Sequence, residues 1–247
     1  MMVNEVYAKR ILSTSKVSDY TINPYIGCAH GCTYCYARFM KRYTRHKEPW
    51  GQFVDVKINA VQLLQREIPK HRVGTVWISG VCDPYQPLEE TYNLTQGCLD
   101  VLLQHDWPIT IQTKSPLVLR DIETLRQFTH SEVGFSITTA NEGIRRLFEP
   151  NAPPIPQRIE ALSQLHSAGL HTFAMIAPLL PEADDLISQL KGHVDRILID
   201  KLNYHYADWV YKTNKLTYAM SDEFFQRKQI DLAKACHKAD IRYQILF

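Results

Sequence analysis

Residues 159–177, IEALSQLHSAGLHTFAMIA, carry the unit from which the fold is read. Ile159, Leu162 and Leu165 recur at helical spacing and form one apolar stripe. Gly169 then supplies the residue type that ends a helix in the left-handed conformation, and the β-branched and aromatic run His171–Ala177 follows as a strand. The same alternation extends in both directions. Strands are expected at Tyr20–Ile26, Thr75–Ser79, Pro108–Thr113, Val133–Thr138, His171–Ala177 and Arg196–Asp200, with a final one at Ile241–Phe247. Between them, Val61, Leu64 and Ile68 share a helical face, as do Leu94, Cys98, Val101 and Leu102. Ile122, Leu125 and Phe128 form a further stripe; Phe225, Leu232 and Cys236 mark a last helix behind Ser221 as its N-cap. Strand–helix repetition requires crossovers and hence a parallel sheet. Six units are too few for a closed eight-fold barrel, so the expected fold is α/β, a partial (β/α)6 TIM-like barrel open on one side. A doubly wound sheet is the alternative.

The 247 residues show no repeat, low-complexity tract or linker, so one domain over 1–247 is expected, with a C-terminal extension from about 205. With 45% hydrophobic residues the chain can fill a core, which excludes disorder as its main state. The near balance of 28 Lys+Arg and 26 Asp+Glu makes no global case for nucleic acid or membranes. The start, MMVNEVYAKRILSTSK, lacks the apolar core of a secretory signal, and Gly169–Leu180 is too short to span a bilayer. A soluble cytoplasmic protein follows, with no membrane partner and a monomer as the default.

In such folds chemistry gathers at the carboxyl ends of the strands. The first strand runs into GCAHGCTYC (27–35), the second into SGVCDP (79–84), and the third ends at Thr113-Lys114-Ser115. The fourth holds Ser136, Thr138 and Thr139. Three of the six cysteines, Cys28, Cys32 and Cys35, lie within eight residues, which in a reducing compartment points to metal or redox chemistry. Structural zinc needs a fourth ligand, for which only His30 is near, and no second C-x2-C pair exists. A four-iron cubane normally takes four thiolates, so three would leave one iron open to a ligand.

The C-x3-C-x2-C spacing with an aromatic before the last Cys resembles the signature of the radical S-adenosylmethionine enzymes. The longer string NPYIGCAHGCTYCYAR (23–38) is similar to the spore photoproduct lyase-like branch, as are VKIN around Lys57, DPYQP (83–87), TKSPLVLRD (113–121), FSITT (135–139) and LFEPNAPPIPQRIEAL (147–162). The resemblance implies a [4Fe–4S] cluster on Cys28, Cys32 and Cys35 and S-adenosyl-L-methionine on the open iron. One electron, from a donor such as flavodoxin or ferredoxin, would then cleave the sulfonium, and a 5′-deoxyadenosyl radical would abstract hydrogen from a substrate. It further implies that Asp83 contacts the cofactor's amino group, Lys114 its carboxylate, Ser136 and Thr138 its methionyl or ribose part, and the backbone at Tyr34 its adenine. Tyr36 is the candidate hydrogen relay. The lyases also use a cysteine donor, but its aligned position here is Gly80, with Cys82 two residues later as the candidate thiol.

Each assignment has a plainer counterpart: Asp83 as a turn cap, Lys114 as a solvated strand-end charge, Tyr34 as packing, Cys82 as an inert buried thiol. Glu149 and Arg158 read as a structural ion pair. The basic run Arg38, Lys41, Arg42, Arg45, His46, Lys47 is interleaved with Phe39, Tyr43 and Trp50. Tyr204, Tyr206, Trp209, Tyr211 and Tyr218 lie among Lys212, Lys215 and Arg227. Both can be solvated faces or nucleic-acid contacts. The functional expectation is a radical enzyme with an unidentified substrate; a DNA-lesion lyase and a zinc-stabilised nucleic-acid-binding module are the alternatives.

Overall fold

A computed structural model describes residues 1–247. Eleven strands run in chain order: β1 Met2–Val6, β2 Leu12–Thr14, β3 Tyr20–Ile22, β4 Tyr25–Ile26, β5 Phe53–Lys57, β6 Val76–Ile78, β7 Ile109–Thr113, β8 Ser131–Ser136, β9 His171–Ile176, β10 Arg196–Ile199 and β11 Arg242–Ile245. Eight form one sheet in the order β11-β10-β9-β8-β7-β6-β3-β2. All its pairs are parallel except β2 with β3. The six expected strands are thus consecutive neighbours, extended by parallel β11 at one edge and antiparallel β2 at the other. The two edges do not pair, so the barrel is open, as expected.

Register brings the carboxyl ends to one rim. Ile22 pairs with Ile78, Ile78 with Ile111 and Ile111 with Val133; one step later Thr113 pairs with Phe135 and Phe135 with Ala174. The helices at 60–67, 94–104, 155–167 and 222–239 turn their stripes inward. Leu64, Cys98, Leu99, Leu102, Leu162, Leu165 and Cys236 are fully or nearly fully buried in the same core as Ile78, Ile111 and Phe135. Each such leucine contributes about 1.5–3 kcal/mol of burial. Ser221 caps the last helix through Phe224 N–H at 3.1 Å, and Gly169 takes a φ of +84° behind the 155–167 helix. No helix is long and apolar enough to cross a membrane.

Two elements differ from expectation. Tyr20–Ile26 is not one strand: Asn23-Pro24 divides it, because proline has no N–H for the ladder, and β4 joins a second sheet, β1-β5-β4. The stripe Ile122–Phe128 is helical only over Ile122–Leu125, since the preceding segment, Pro116–Asp121, is a 3-10 helix begun by Ser115, whose hydroxyl accepts from Leu117 N–H at 3.3 Å. Phe128 still packs into the core from beyond the helix end.

Candidate active site at the strand carboxyl ends

The loop carrying Cys28, Cys32 and Cys35 leaves β4 at the barrel rim. A Cβ on Gly27, at φ +93°, would meet the Phe53 carbonyl oxygen at 2.3 Å, so only glycine lets the loop turn against β5. Two other segments then pin it. Gln86, fully buried, accepts from Ala29 N–H at 3.0 Å and donates to the Gly27 carbonyl at 3.2 Å. From the far side Asn151 donates to the Ala29 carbonyl at 3.2 Å, and Thr33 N–H donates to the Phe148 carbonyl at 2.8 Å.

The three cysteines are free thiols; Cys28 and Cys32 are buried and Cys35 is half-buried. Burial pushes Cys28 well above the ordinary thiol range and Cys32 up to about 12. Lys114 opposes the rise at Cys32 and Cys35. The indole N–H of Trp50 is buried without a protein hydrogen-bond partner and, beside Cys35, draws that thiol's pKa down. His30, between two of the cysteines, is almost wholly buried; its Nε2 lies 3.3 Å from Asp83 Oδ2, off the hydrogen-bond axis, and neither ring nitrogen has a hydrogen-bond partner.

The donor set fits an iron–sulfur cluster. Three soft thiols share one loop, a cation stands by to offset thiolate charge, and the buried Trp50 indole N–H lies beside Cys35. A cubane takes one thiolate per iron and so spreads its ligands.

Asp83 sits where β6 ends. Its Oδ1 accepts from the Thr113 hydroxyl at 2.6 Å and from Tyr85 N–H at 2.9 Å; its Oδ2 accepts from Lys114 N–H at 2.8 Å. Burial alone would raise the carboxyl pKa, but His30, these hydrogen bonds and the Lys114 charge bring it down to about 2. Asp83 therefore ties the end of β7 to the cysteine loop. The Lys114 ammonium forms no ion pair within 4 Å, lies 5.8 Å from the Tyr34 ring centre, and is kept charged by Cys32 and Glu149 against its burial. It is the free cation of the rim.

Tyr34 and Thr138 converge on a carboxylate that sequence reasoning left as a structural pair. Glu149 is fully buried; Tyr34 O–H and Thr138 O–H both donate to its Oε1, the latter at 3.1 Å. Its Oε2 lies 2.6 Å from Arg158 Nη2, an ion pair off the hydrogen-bond axis. Burial alone would raise Glu149, but Arg158 and Lys114, followed by the Tyr34 hydrogen bond, lower it to about 2. Arg158 also donates to the Ser136 and Pro153 carbonyls, at 3.0 and 2.8 Å. A signal for this hub existed: an acidic residue directly after Phe148, in a block already tied to the family, beside a turn rich in proline.

Ser136 is buried on β8 and accepts from Gln112 Nε2 at 2.8 Å. Tyr36 is half-exposed, and its hydroxyl donates to the Gly80 carbonyl on the rim. Cys82 packs in a small apolar cluster with Tyr25, Val54, Val56 and Leu94. Burial pushes its thiol up to about 12, with Lys57 opposing, and Lys57 donates to the Asn23 carbonyl at 2.7 Å.

The sequence profile of the Radical SAM superfamily matches residues 22–191. An uncharacterized protein of Methanocaldococcus jannaschii is 35% identical over 74% of this chain and 69% of its own length. An uncharacterized Mycobacterium tuberculosis protein is 32% identical over 71% of this chain, which spans about half of that relative at 54%. Among solved structures, spore photoproduct lyase complexed with a dinucleoside spore photoproduct superposes with a TM-score of 0.70, covering 99% of this chain and 82% of the lyase. At 15% identity that likeness shows the shared fold.

Proposed function

Because the chain belongs to the Radical SAM superfamily, we propose that it is an enzyme that cleaves S-adenosyl-L-methionine reductively and abstracts a hydrogen atom from an organic substrate. The observation that carries this reading is the loop of three free thiols, two buried and one half-buried, at the carboxyl rim of an open parallel barrel, beside the Lys114 ammonium. Cys28, Cys32 and Cys35 would hold a [4Fe–4S] cluster. When bound, it supplies the electron that splits the sulfonium of S-adenosylmethionine, giving methionine and a 5′-deoxyadenosyl radical.

The remaining chemistry belongs to the protein's own residues. Lys114 offers a point charge to the cofactor's carboxylate. Asp83 fixes the Lys114 backbone and holds His30 against the loop; we assign its contact with the cofactor's amino group to the acceptor capacity its internal partners leave. Ser136 presents its hydroxyl from β8. Thr138 and Tyr34 are set by Glu149, and the Tyr34 backbone would contact the adenine. Tyr36 would serve as the hydrogen relay and Cys82 as the thiol donor. Such a radical requires a site that orders its reactants and excludes water, or it would react with whatever is near. The electron enters from a donor of the flavodoxin or ferredoxin kind.

The test is product analysis. Anaerobically reconstituted, reduced protein should convert S-adenosylmethionine to 5′-deoxyadenosine and methionine, and Cys32→Ala should not. Intact cofactor after prolonged reduction of iron-replete protein overturns the proposal.

A further inference from the structure

Immediately after Cys35 the chain forms a 3-10 helix, Tyr36–Tyr43, whose three-residue turn eclipses every third side chain. Tyr36, Phe39 and Arg42 therefore stand above one another. The Tyr36 and Phe39 ring centres are 6.4 Å apart at 30°, and the Arg42 guanidinium lies 5.4 Å from the Phe39 ring and 4.9 Å from Tyr43. The loop after β10 continues the row. Tyr204 stacks on Tyr36 at 6.2 Å and 21°, Tyr206 on Tyr204 at 5.8 Å and 9°, and Arg38 covers Tyr206 at 4.7 Å.

These rings are not core. Tyr36 is 46% exposed, Tyr43 66% and Tyr204 50%, with Phe39 and Tyr206 also exposed. Five neighbouring aromatic rings facing water form a patch larger than scattered surface residues produce. Their setting is strongly basic. Residues 36–47 hold five Lys/Arg and no Asp/Glu, and 201–218 hold three Lys and one Asp, although the whole chain carries only +2. The row touches the reaction rim along its length, at Tyr36, which stacks between Phe39 and Tyr204 and whose O–H donates to the Gly80 carbonyl.

We infer that this aromatic–cationic row is a docking surface for an unpaired stretch of polynucleotide. Cations supply phosphate contacts of either strand form, but exposed ring faces serve only bases that are not already stacked within a duplex. The guanidiniums of Arg38 and Arg42 over Tyr206, Phe39 and Tyr43 add cationic groups that can stack on a base. The surface meets the rim at Tyr36, so a base held there, within the bound stretch, would be presented to the reaction site. The inference rests on the proposed function only for what happens to that base. Binding itself requires no radical chemistry.

The experiment is fluorescence anisotropy of the reconstituted protein with a labelled oligothymidylate and an oligouridylate of roughly 12 nucleotides, and with a duplex of equal length. Production of 5′-deoxyadenosine without nucleic acid is measured alongside. Both single strands, or one of them, should bind more tightly than the duplex, which also identifies DNA or RNA as the source. Tyr204→Ala and Tyr206→Ala should each weaken single-strand binding roughly tenfold. Tyr204→Phe should bind as the unmodified chain does, and none of the three should alter cofactor cleavage. The slope of log affinity against log salt should be about −2, as three phosphate contacts give.

Equal or tighter duplex binding, no single-strand binding, or unchanged affinity in both alanine variants would overturn the inference. If the alanine variants instead slow reduction by flavodoxin while leaving oligonucleotide binding unchanged, the face serves the electron donor and the inference fails. Nucleic-acid binding without cofactor cleavage would count against the proposed function and leave this surface standing.

Discussion

Replacing Glu149 by Gln keeps its shape and removes its charge. The carboxylate is wholly buried, faces Arg158 at 2.6 Å and accepts from Tyr34 and Thr138. The amide can still accept from the two hydroxyls, but its NH2 would confront a guanidinium that also only donates, and Arg158 and Lys114 would keep charges without a buried anion. Breaking one side of a buried pair costs about 3–5 kcal/mol. Linkage leads to a similar figure: the carboxyl pKa falls from 4.5 to about 2, a preference for the ionised form of roughly 3 kcal/mol. Since the folded value lies below the unfolded one, this stabilisation is complete above the unfolded pKa of 4.5. It is lost as pH falls through about 2. At neutral pH the Tm of Glu149→Gln should fall by roughly 6–20 °C for a chain of this size, measured by circular dichroism at matched scan rates. Below the unfolded carboxylate range the gap should narrow. Adding Arg158→Met should return part of the loss, because the uncompensated charge then goes too. A Tm within about 2 °C of the unmodified chain, corresponding to less than about 1 kcal/mol, would refute the reasoning.

Lys114→Met should weaken S-adenosylmethionine binding by at least about tenfold, the order of one charge-assisted contact, while iron content stays constant; equilibrium dialysis with unchanged affinity would remove the residue from the cofactor site. Gln86→Ala leaves Ala29 N–H and the Gly27 carbonyl without their partner, at about 1–3 kcal/mol for each group that water cannot reach. Iron should pass to a chelator several-fold faster, and an unchanged rate would show that Gln86 does not hold the loop. Ser79 takes a φ of +66° at the end of β6. Ser79→Gly should raise stability by about 0.5–1 kcal/mol in urea titration, as relief of left-handed strain outweighs glycine's entropy; a loss would mean the side chain is holding the turn.

The barrel was legible because its strands and helices follow apolar periodicities that burial enforces. The six main strands were placed within two or three residues, apart from the early end of the strand at Tyr20–Ile26, and the last helix begins at its expected cap. What periodicity could not show was the small sheet β1-β5-β4: β1 is mostly exposed and β4 has two residues, so neither carries a buried alternation. The division of the first strand depends on which sheet the chain joins after Pro24, a tertiary outcome. The crowding of Cys28, Cys32 and Cys35 was legible because their spacing lies within one segment. The Glu149 hub was not, since Tyr34, Lys114, Thr138 and Arg158 meet from separate elements. Asp83 was placed at the right rim, yet its bonds to Thr113, Tyr85 and Lys114 depend on strand neighbours that spacing does not reveal.

The most direct measurement is electron paramagnetic resonance of anaerobically reconstituted, reduced protein before and after addition of S-adenosylmethionine. Three thiolates leaving one iron open predict about four irons per chain, a reduced-cluster signal, and a change in that signal on adding the sulfonium. Stoichiometric zinc with no such signal, or a signal indifferent to the sulfonium, would contradict the account at its root.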